Sequence, residues 1–66
     1  MKNNLKVLRA TANISQAELA EKIQVSRQTI NAMEKRKYVP STVLALKIAR
    51  FFDKAVEAVF ELEESD

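Results

Sequence analysis

The sequence predicts a small all-α domain of five helices. Three observations support this class. Serine residues recur where helices need a cap, apolar residues recur at intervals of three and four, and the 66-residue chain has one proline and no glycine. A chain of this length has room for one folded unit, so we expect residues 1–66 to form a single domain.

The first two helices are predicted from their caps. Asn3 or Asn4 is placed to cap a first helix over about residues 5–12. The tetrapeptide Ser15-Gln16-Ala17-Glu18 is a capping box, in which a hydroxyl and a carboxylate each accept a hydrogen bond from a backbone N–H. The second helix then continues to about Lys22.

The remaining helices follow in the same way. Residues 23–25 separate the second helix from Ser26, which caps a third helix over about residues 27–35. Because Pro40 disfavours helical backbone before it, residues 35–40 form a loop, and Ser41 caps a fourth helix. The expected buried stripe of the fourth helix is Leu44, Ile48, Phe51 and Phe52.

Two short elements complete the chain. A fifth helix is expected over about residues 56–60, where Ala55 stands at the cap position. The alternation of apolar and acidic residues over 60–63 also fits a short strand, which would pair with residues 1–3 as a small terminal β-sheet.

Composition excludes several classes of function. Cysteine and histidine are absent, so the usual metal ligands, thiol nucleophile and proton shuttle are missing. We therefore expect no enzyme, no cofactor and no metal site. The apolar runs are too short to cross a bilayer and the start MKNNLK has no apolar signal segment, so we expect a cytoplasmic protein with no membrane partner.

The charge is unevenly distributed along the chain. Residues 1–52 carry ten Lys or Arg and three Glu, a net charge of +7, whereas residues 53–66 carry a net charge of −5. A basic body suits a polyanion such as nucleic acid, and we expect the acidic end to face away from it. Charge alone also fits two solvated faces with no partner.

Residues 16–35 have the pattern of a helix-turn-helix, two helices that each begin at a serine cap and are joined by a three-residue turn. Apolar side chains should lock the two helices together and leave the outer face of the third helix free. These side chains are Ala17, Leu19, Ala20, Ile23, Val25, Ile30 and Met33.

The outer face of the third helix carries side chains suited to base recognition. Glutamine pairs with the edge of adenine, arginine with the edge of guanine, and alanine lies against the methyl group of thymine. The outward set is expected to be Ser26, Arg27, Gln28, Asn31 and Ala32, and Thr29 is also expected to contact DNA. Exposed Gln and Asn are also common on helices that bind nothing.

The stretch SQAELAEKIQVSRQTINAMEKRKYVPSTVLALKIARFF resembles the Cro/CI-type (XRE) helix-turn-helix family, and the resemblance covers nearly the entire chain. Within that family the short chain is most similar to the compact one-domain repressors typified by the cytolysin repressor. The resemblance implies a five-helix lambda-repressor-like fold. It also implies a homodimer that binds a palindromic operator in double-stranded DNA, with the third helix in the major groove.

The resemblance further implies roles for individual residues. Arg27 and Gln28 would lie over bases, with Ala32 one turn further along. Gln16 would lie against a phosphate, although a solvated first-turn residue is the alternative. The basic run of Lys35, Arg36 and Lys37 would contact the DNA backbone. Tyr38 either bonds a phosphate or packs over the loop.

Two further features come from the resemblance. Arg9 and Glu34 match a structural ion pair that links the first and third helices. Gln24, Arg36 and Asp53 stand where the family commonly has glycine or a cap. A non-glycine residue at positive φ costs roughly 1–2 kcal/mol, which the fold should tolerate.

We expect dimerisation through residues 51–66. Leu44 and Ile48 should fill the core, which leaves too little room for the apolar side chains that follow. A two-fold contact would then bury Phe51, Val56, Val59, Phe60 and Leu62. The alternative is that these side chains cover the core of their own subunit.

The sequence therefore predicts a sequence-specific transcriptional repressor with no evident small-molecule ligand. An antitoxin that also represses its own operon is the alternative from another class, although only residues 61–66 would remain to bind a toxin. A coactivator that bridges promoter proteins is a third interpretation, and it predicts weak DNA binding.

Overall fold

The computed structural model describes residues 1–66. It contains five helices and one two-stranded sheet, which confirms the predicted fold class. In chain order the elements are β1 (Lys2–Asn3), α1 (Leu5–Ala12), α2 (Gln16–Ile23), α3 (Arg27–Glu34), α4 (Thr42–Phe51), α5 (Val56–Val59) and β2 (Phe60–Glu61). None of the helices has the length and hydropathy needed to pass through a membrane.

The three serine caps are present as expected. The Ser15 hydroxyl accepts from the backbone N–H of Glu18, and the Glu18 carboxylate accepts from the backbone N–H of Ser15, both at 3.0 Å. Ser26 and Ser41 cap α3 and α4 through single hydrogen bonds of 3.1 Å. These bonds satisfy backbone donors that have no partner inside the helix, so each cap defines where its helix begins.

At α1 the capping role is divided between two asparagines. Asn4 is the first residue outside the helix, but the Asn3 side chain accepts from the Leu5 N–H at 3.2 Å. Both side chains also donate to distant carbonyls, Asn3 to Met33 at 2.7 Å and Asn4 to Ala58 at 3.0 Å. The two residues thus tie the start of the chain to α3 and α5.

Four turns use positive φ without glycine. Gln24, Arg36 and Asp53, the positions where the resemblance implied glycine or a cap, have φ of 60°, 59° and 54°, and Asn13 has φ of 58°. At each position the chain leaves a helix and turns sharply. Asparagine tolerates this conformation best, so the strain falls mainly on the other three.

The core is a single apolar cluster of eleven buried residues, with no buried polar residue among them. It draws on all five helices and on β2. Its members are Leu5, Leu19, Ala20, Ile23, Ile30, Met33, Leu44, Ile48, Ala49, Val59 and Phe60. The expectation that Ala17 would be buried between α2 and α3 was wrong, because Ala17 is exposed.

The C-terminal segment departs from the sequence-based expectation. Val59 and Phe60 were expected to stay outside the core, yet they are only 1% and 8% exposed. The reason is that β1 and β2 pair antiparallel, with Asn3 opposite Phe60, and the Asn4 N–H donates to the Val59 carbonyl at 2.9 Å. This pairing draws the end of α5 under the start of the chain and into the core of its own subunit.

The aromatic pair at the end of α4 is divided. Phe52 packs against the core, as predicted, whereas Phe51 is 39% exposed. The two rings meet edge to face, with centroids 5.0 Å apart. Phe51 therefore belongs to the surface rather than to the predicted buried stripe.

Candidate nucleic-acid interface

The turn between α2 and α3 is short and closely bonded. α2 ends at Ile23, and Gln24 adopts the left-handed conformation. The N–H of Val25 returns to the Ala20 carbonyl at 3.0 Å, and the N–H of Gln24 contacts the Glu21 carbonyl at 3.3 Å. Because these bonds close the end of α2, the entry angle of α3 is defined by the backbone itself.

The inner face of α3 is anchored and its outer face is open. Ile30 and Met33 are fully buried, whereas Arg27 and Gln28 are exposed at the start of the helix. Neither the Arg27 nor the Gln28 side chain forms a hydrogen bond or ion pair with another group of the protein. Their donors and acceptors therefore remain available at the end of a helix held by its opposite side.

Unlike Arg27 and Gln28, Ser26 and Thr29 have side chains that form hydrogen bonds within the protein. The Ser26 hydroxyl caps α3 and also lies 2.9 Å from the Thr29 hydroxyl. Both groups are thus occupied locally, although Ser26 remains exposed and Thr29 half-buried. Ala32 is half-buried one turn further along α3.

A shallow polar cleft joins the starts of α2 and α3. It is lined by Gln16, Arg27, Gln28 and Asn31, with no apolar residue among them. The structure thus brings four of the sequence-predicted residues to one surface. The first turn of α2 lies at its edge, where backbone N–H groups and the positive end of the helix dipole favour an anion.

The expected ion pair between Arg9 and Glu34 is present and extends into this cleft. Arg9 binds Glu34 through two guanidinium nitrogens, with Nη2 at 2.9 Å from Oε1, and its Nη1 donates to the Ile14 carbonyl at 3.0 Å. Gln16 Nε2 also donates to Glu34 Oε1 at 3.1 Å. The side chains of Arg9 and Glu34 are only 15% and 6% exposed.

The charge of Glu34 is stabilised despite its burial. Desolvation is the largest single influence and disfavours the carboxylate. The hydrogen bonds from Arg9 and Gln16, with the positive charges of Arg9 and Lys6, outweigh it and hold the pKa of Glu34 below its ordinary value. The hydrogen bond to Glu34 likewise raises the pKa of Arg9, so both partners stay charged.

The basic loop follows α3 without a break. Lys35, Arg36 and Lys37 are all exposed, and the N–H groups of Arg36 and Lys37 return to the carbonyls of Met33 and Ala32 at 2.9 and 2.8 Å. These bonds hold the loop against the end of α3, where cations also suit the negative end of the helix dipole. Tyr38 follows and is 44% exposed.

The acidic end of the chain does not lie entirely away from this loop. Glu63 Oε1 lies 3.7 Å from Arg36 Nη1 and 3.5 Å from the Met1 ammonium group. The expectation that the tail would face away was therefore wrong for Glu63. The reason is that β1 and β2 bring the two ends of the chain together beside the loop.

A second surface was missed by the sequence analysis. Val39, Val43 and Leu46 are 61%, 64% and 55% exposed on the loop and the outer side of α4. Val39 and Leu46 line an apolar cavity with Pro40, Val56 and Phe60. The signal was the i, i+3 spacing of Val43 and Leu46, a second apolar stripe beside the buried one.

An exposed polar helix, held by its buried face against a second helix after a tight turn, defines a helix-turn-helix domain. A family model described as Helix-turn-helix matches residues 5–59 of this chain. The chain belongs to this Cro/CI-type (XRE) family of DNA-binding transcriptional regulators, which confirms the resemblance seen in the sequence.

Full-length relatives support the assignment. The chain is similar to an uncharacterised HTH-type transcriptional regulator of Methanocaldococcus jannaschii, 53% identical over the full length of both chains. It is similarly related to the uncharacterised HTH-type transcriptional regulator YgzD of Bacillus subtilis, 52% identical over both full lengths. A further such regulator, from Archaeoglobus fulgidus, is 44% identical over 100% of this chain and 93% of its own.

Proposed function

We propose that this protein is a transcriptional repressor that binds a palindromic operator as a homodimer, with α3 in the major groove. The observation that carries the proposal is the pair Arg27 and Gln28, which are exposed and unbonded at the start of a helix anchored by Ile30 and Met33. A helix of this kind presents its first turn to base edges when it enters a major groove.

Specificity would come from the first two turns of α3. Arg27 has the donors for the O6 and N7 edge of guanine, and Gln28 has the donor and acceptor for the N6 and N7 edge of adenine. Asn31 adds a second amide, and the Ala32 methyl group suits a thymine methyl. Ser26 and Thr29, whose hydroxyls already bond each other, would complete the edge of this surface.

Affinity would come from the phosphates on either side. The first turn of α2, which includes Gln16, offers backbone N–H groups to one strand. Lys35, Arg36 and Lys37 offer three cations beyond the other end of α3. Each neutralised phosphate releases counterions, so binding should weaken strongly with salt.

Dimerisation would use the apolar side chains that are exposed in the structure, and not all five of the residues that the sequence analysis predicted for the interface. Val59 and Phe60 are buried within their own subunit, whereas Leu62 is 76% exposed and Phe51 39% exposed. We place the interface on Val39, Val43 and Leu46 together with Leu62 and the half-buried Val56. A two-fold contact would cover this surface and set two copies of α3 about 34 Å apart.

Repression would then be steric, and the protein would act in the cytoplasm. A dimer on an operator that overlaps a promoter excludes the transcription machinery.

The DNA-binding proposal is tested by selecting bound duplexes from a randomised library. Gln28→Ala should lower affinity for the selected operator about 5- to 100-fold and leave affinity for random DNA nearly unchanged, since it removes a base contact. Lys37→Ala should weaken both alike and reduce the salt slope by about one. Equal losses on both DNAs for Gln28→Ala would remove the base-reading assignment.

The proposed dimer can be tested with two matched variants, one in the proposed interface and one outside it. Val43 and Val7 are both valines that are 64% exposed, on α4 and α1 respectively. In sedimentation equilibrium at micromolar concentration, Val43→Glu should sediment as a monomer of 7.5 kDa while Val7→Glu remains a dimer. A wild-type mass that stays at the monomer value at all concentrations contradicts the proposal.

A further inference from the structure

A chain of hydrogen bonds runs from the interior of the domain to the outer face of α3. Glu34 Oε1 accepts from Arg9 Nη2 at 2.9 Å and from Gln16 Nε2 at 3.1 Å. Gln16 Oε1 in turn accepts from Asn31 Nδ2 at 3.4 Å. This series of hydrogen bonds therefore ends at Asn31, whose side chain lies on the face of α3 that we propose contacts bases.

The direction of this chain is determined at its inner end. A carboxylate only accepts hydrogen bonds, so Gln16 must turn its NH₂ group toward Glu34. The carbonyl oxygen of Gln16 then faces Asn31, which must turn its own NH₂ group inward. The buried charge of Glu34 thus selects one orientation for each of two amides that would otherwise be free to flip.

The selected orientation has a consequence for recognition. One Nδ2 hydrogen of Asn31 is used inside the domain, which leaves the other hydrogen and the Oδ1 oxygen for an outside partner. Those two groups are the ones with which asparagine pairs with adenine, donating to N7 and accepting from the N6 amino group. An Asn31 amide turned the other way would place donor and acceptor in reversed positions.

We infer that Gln16 and Glu34 are positioning residues that orient the Asn31 amide for adenine. The inference rests on the proposed function of α3 and adds a determinant of its specificity. Gln16 is not needed for the ion pair, because Arg9 already gives Glu34 two hydrogen bonds. Its contact with Asn31 therefore has a separate role from holding α1 to α3.

Two substitutions separate positioning from phosphate binding and from folding. Gln16→Met keeps a side chain of similar length and helix propensity but removes both hydrogen bonds. Gln16→Lys still donates to Glu34 and adds a cation near the DNA backbone, but it has no acceptor for Asn31. Both leave the Arg9–Glu34 pair intact, and a thermal melt of each variant checks that it folds.

The experiment compares duplexes selected by the wild-type protein. Asn31→Ala identifies the base pair that Asn31 reads, where discrimination should fall about tenfold. Gln16→Met and Gln16→Lys should each lose about fivefold or more at the same base pair. Gln16→Lys should do so while its affinity for random DNA rises. Discrimination at the base pair read by Gln28 should stay unchanged in both variants.

A second measurement needs no DNA. When acid protonates Glu34, the side-chain amide resonances of Gln16 and Asn31 should shift together in the wild type, and in Gln16→Met the Asn31 resonances should no longer follow. If Gln16 were only a solvated residue in the first turn of α2, the Asn31 resonances would not follow the protonation of Glu34.

A result that contradicts the positioning role can be distinguished from one that contradicts the proposed function. Gln16 variants that weaken all duplexes alike but keep discrimination at the Asn31 base pair overturn the positioning role, and so does an Asn31→Ala variant with unchanged preferences. Both leave the proposed function standing. A wild-type protein that selects no sequence at all overturns the proposed function, and this inference falls with it.

Discussion

Two different kinds of charge pairing lie near the C-terminal end of α3, where Glu34 is the last helical residue and Arg36 follows in the loop. On the inner side, Arg9 and Glu34 are largely buried and every buried side-chain nitrogen and oxygen has a partner. Near the loop, Glu63 contacts the Met1 ammonium and Arg36 at 3.5 and 3.7 Å, and the Arg36 side chain is 57% exposed. The comparison shows that similar carboxylates have different roles according to their burial.

Burial decides the energetic weight of each pair. An exposed pair is screened by water and salt and contributes about 0–1 kcal/mol. A buried ion pair stabilises the fold little more than apolar residues would in its place. Removing one partner is nevertheless costly, because it leaves an uncompensated buried charge. The helix-turn-helix half should therefore be sensitive to single charge substitutions, and the tail should tolerate them.

The largest effect is expected for Glu34→Ala. Removal of the carboxylate leaves the Arg9 guanidinium buried without its partner and should lower the free energy of unfolding by about 3–5 kcal/mol. Urea denaturation measures the loss, and Glu63→Ala, which should change it by about 0.5 kcal/mol or less, is the control. Equal effects of the two substitutions would contradict the comparison.

Within the C-terminal segment, substitutions at two nearby apolar residues should have different effects on stability, because one residue is buried and the other is exposed. Phe60 is 8% exposed and Leu62 is 76% exposed. Phe60→Ala should cost about 3 kcal/mol because it opens a cavity in the core. Leu62→Ala should leave the stability of the monomer nearly unchanged. Thermal unfolding below the dimer dissociation constant compares the two variants. A stable Phe60→Ala variant would mean that β2 does not close the core.

Acid should destabilise the domain through Glu34. Its pKa is lowered in the folded state, so its stabilising contribution is complete above the unfolded pKa of about 4.3 and is lost as pH falls through the folded value. The free energy of unfolding at pH 7, 5 and 3 measures this. Glu34→Gln should lose less stability over that range than the wild type, and an equal loss would assign the effect to other groups.

The smallest effect is expected for Glu63→Gln. Stability should stay nearly constant, because the contact with Arg36 is exposed and long. Affinity for random duplex DNA should rise about two- to threefold at low salt, since one negative charge is removed beside the basic loop. The neighbouring Glu64→Gln has no contact with Arg36 and serves as the control. A rise of the same size in both variants would show a general charge effect.

The sequence by itself determined the helices and the exposed outer face of α3, because these depend on local interactions. A serine cap bonds a residue three positions later, so Ser15, Ser26 and Ser41 could be assigned without the rest of the fold. The exposed position of Arg27 and Gln28 followed from the helical period. The resemblance to known sequences supplied the Arg9–Glu34 pair and the positive φ of Gln24, Arg36 and Asp53.

Tertiary structure decided the features that depend on which distant segments meet. The pairing of β1 with β2 placed Val59 and Phe60 in the core and brought Glu63 to Arg36, against expectation. The bond from Gln16 to Glu34 joins residues 18 positions apart on different helices. Apolar periodicity shows that a side chain will be covered, but the covering surface is set by chain packing, which the local pattern does not contain.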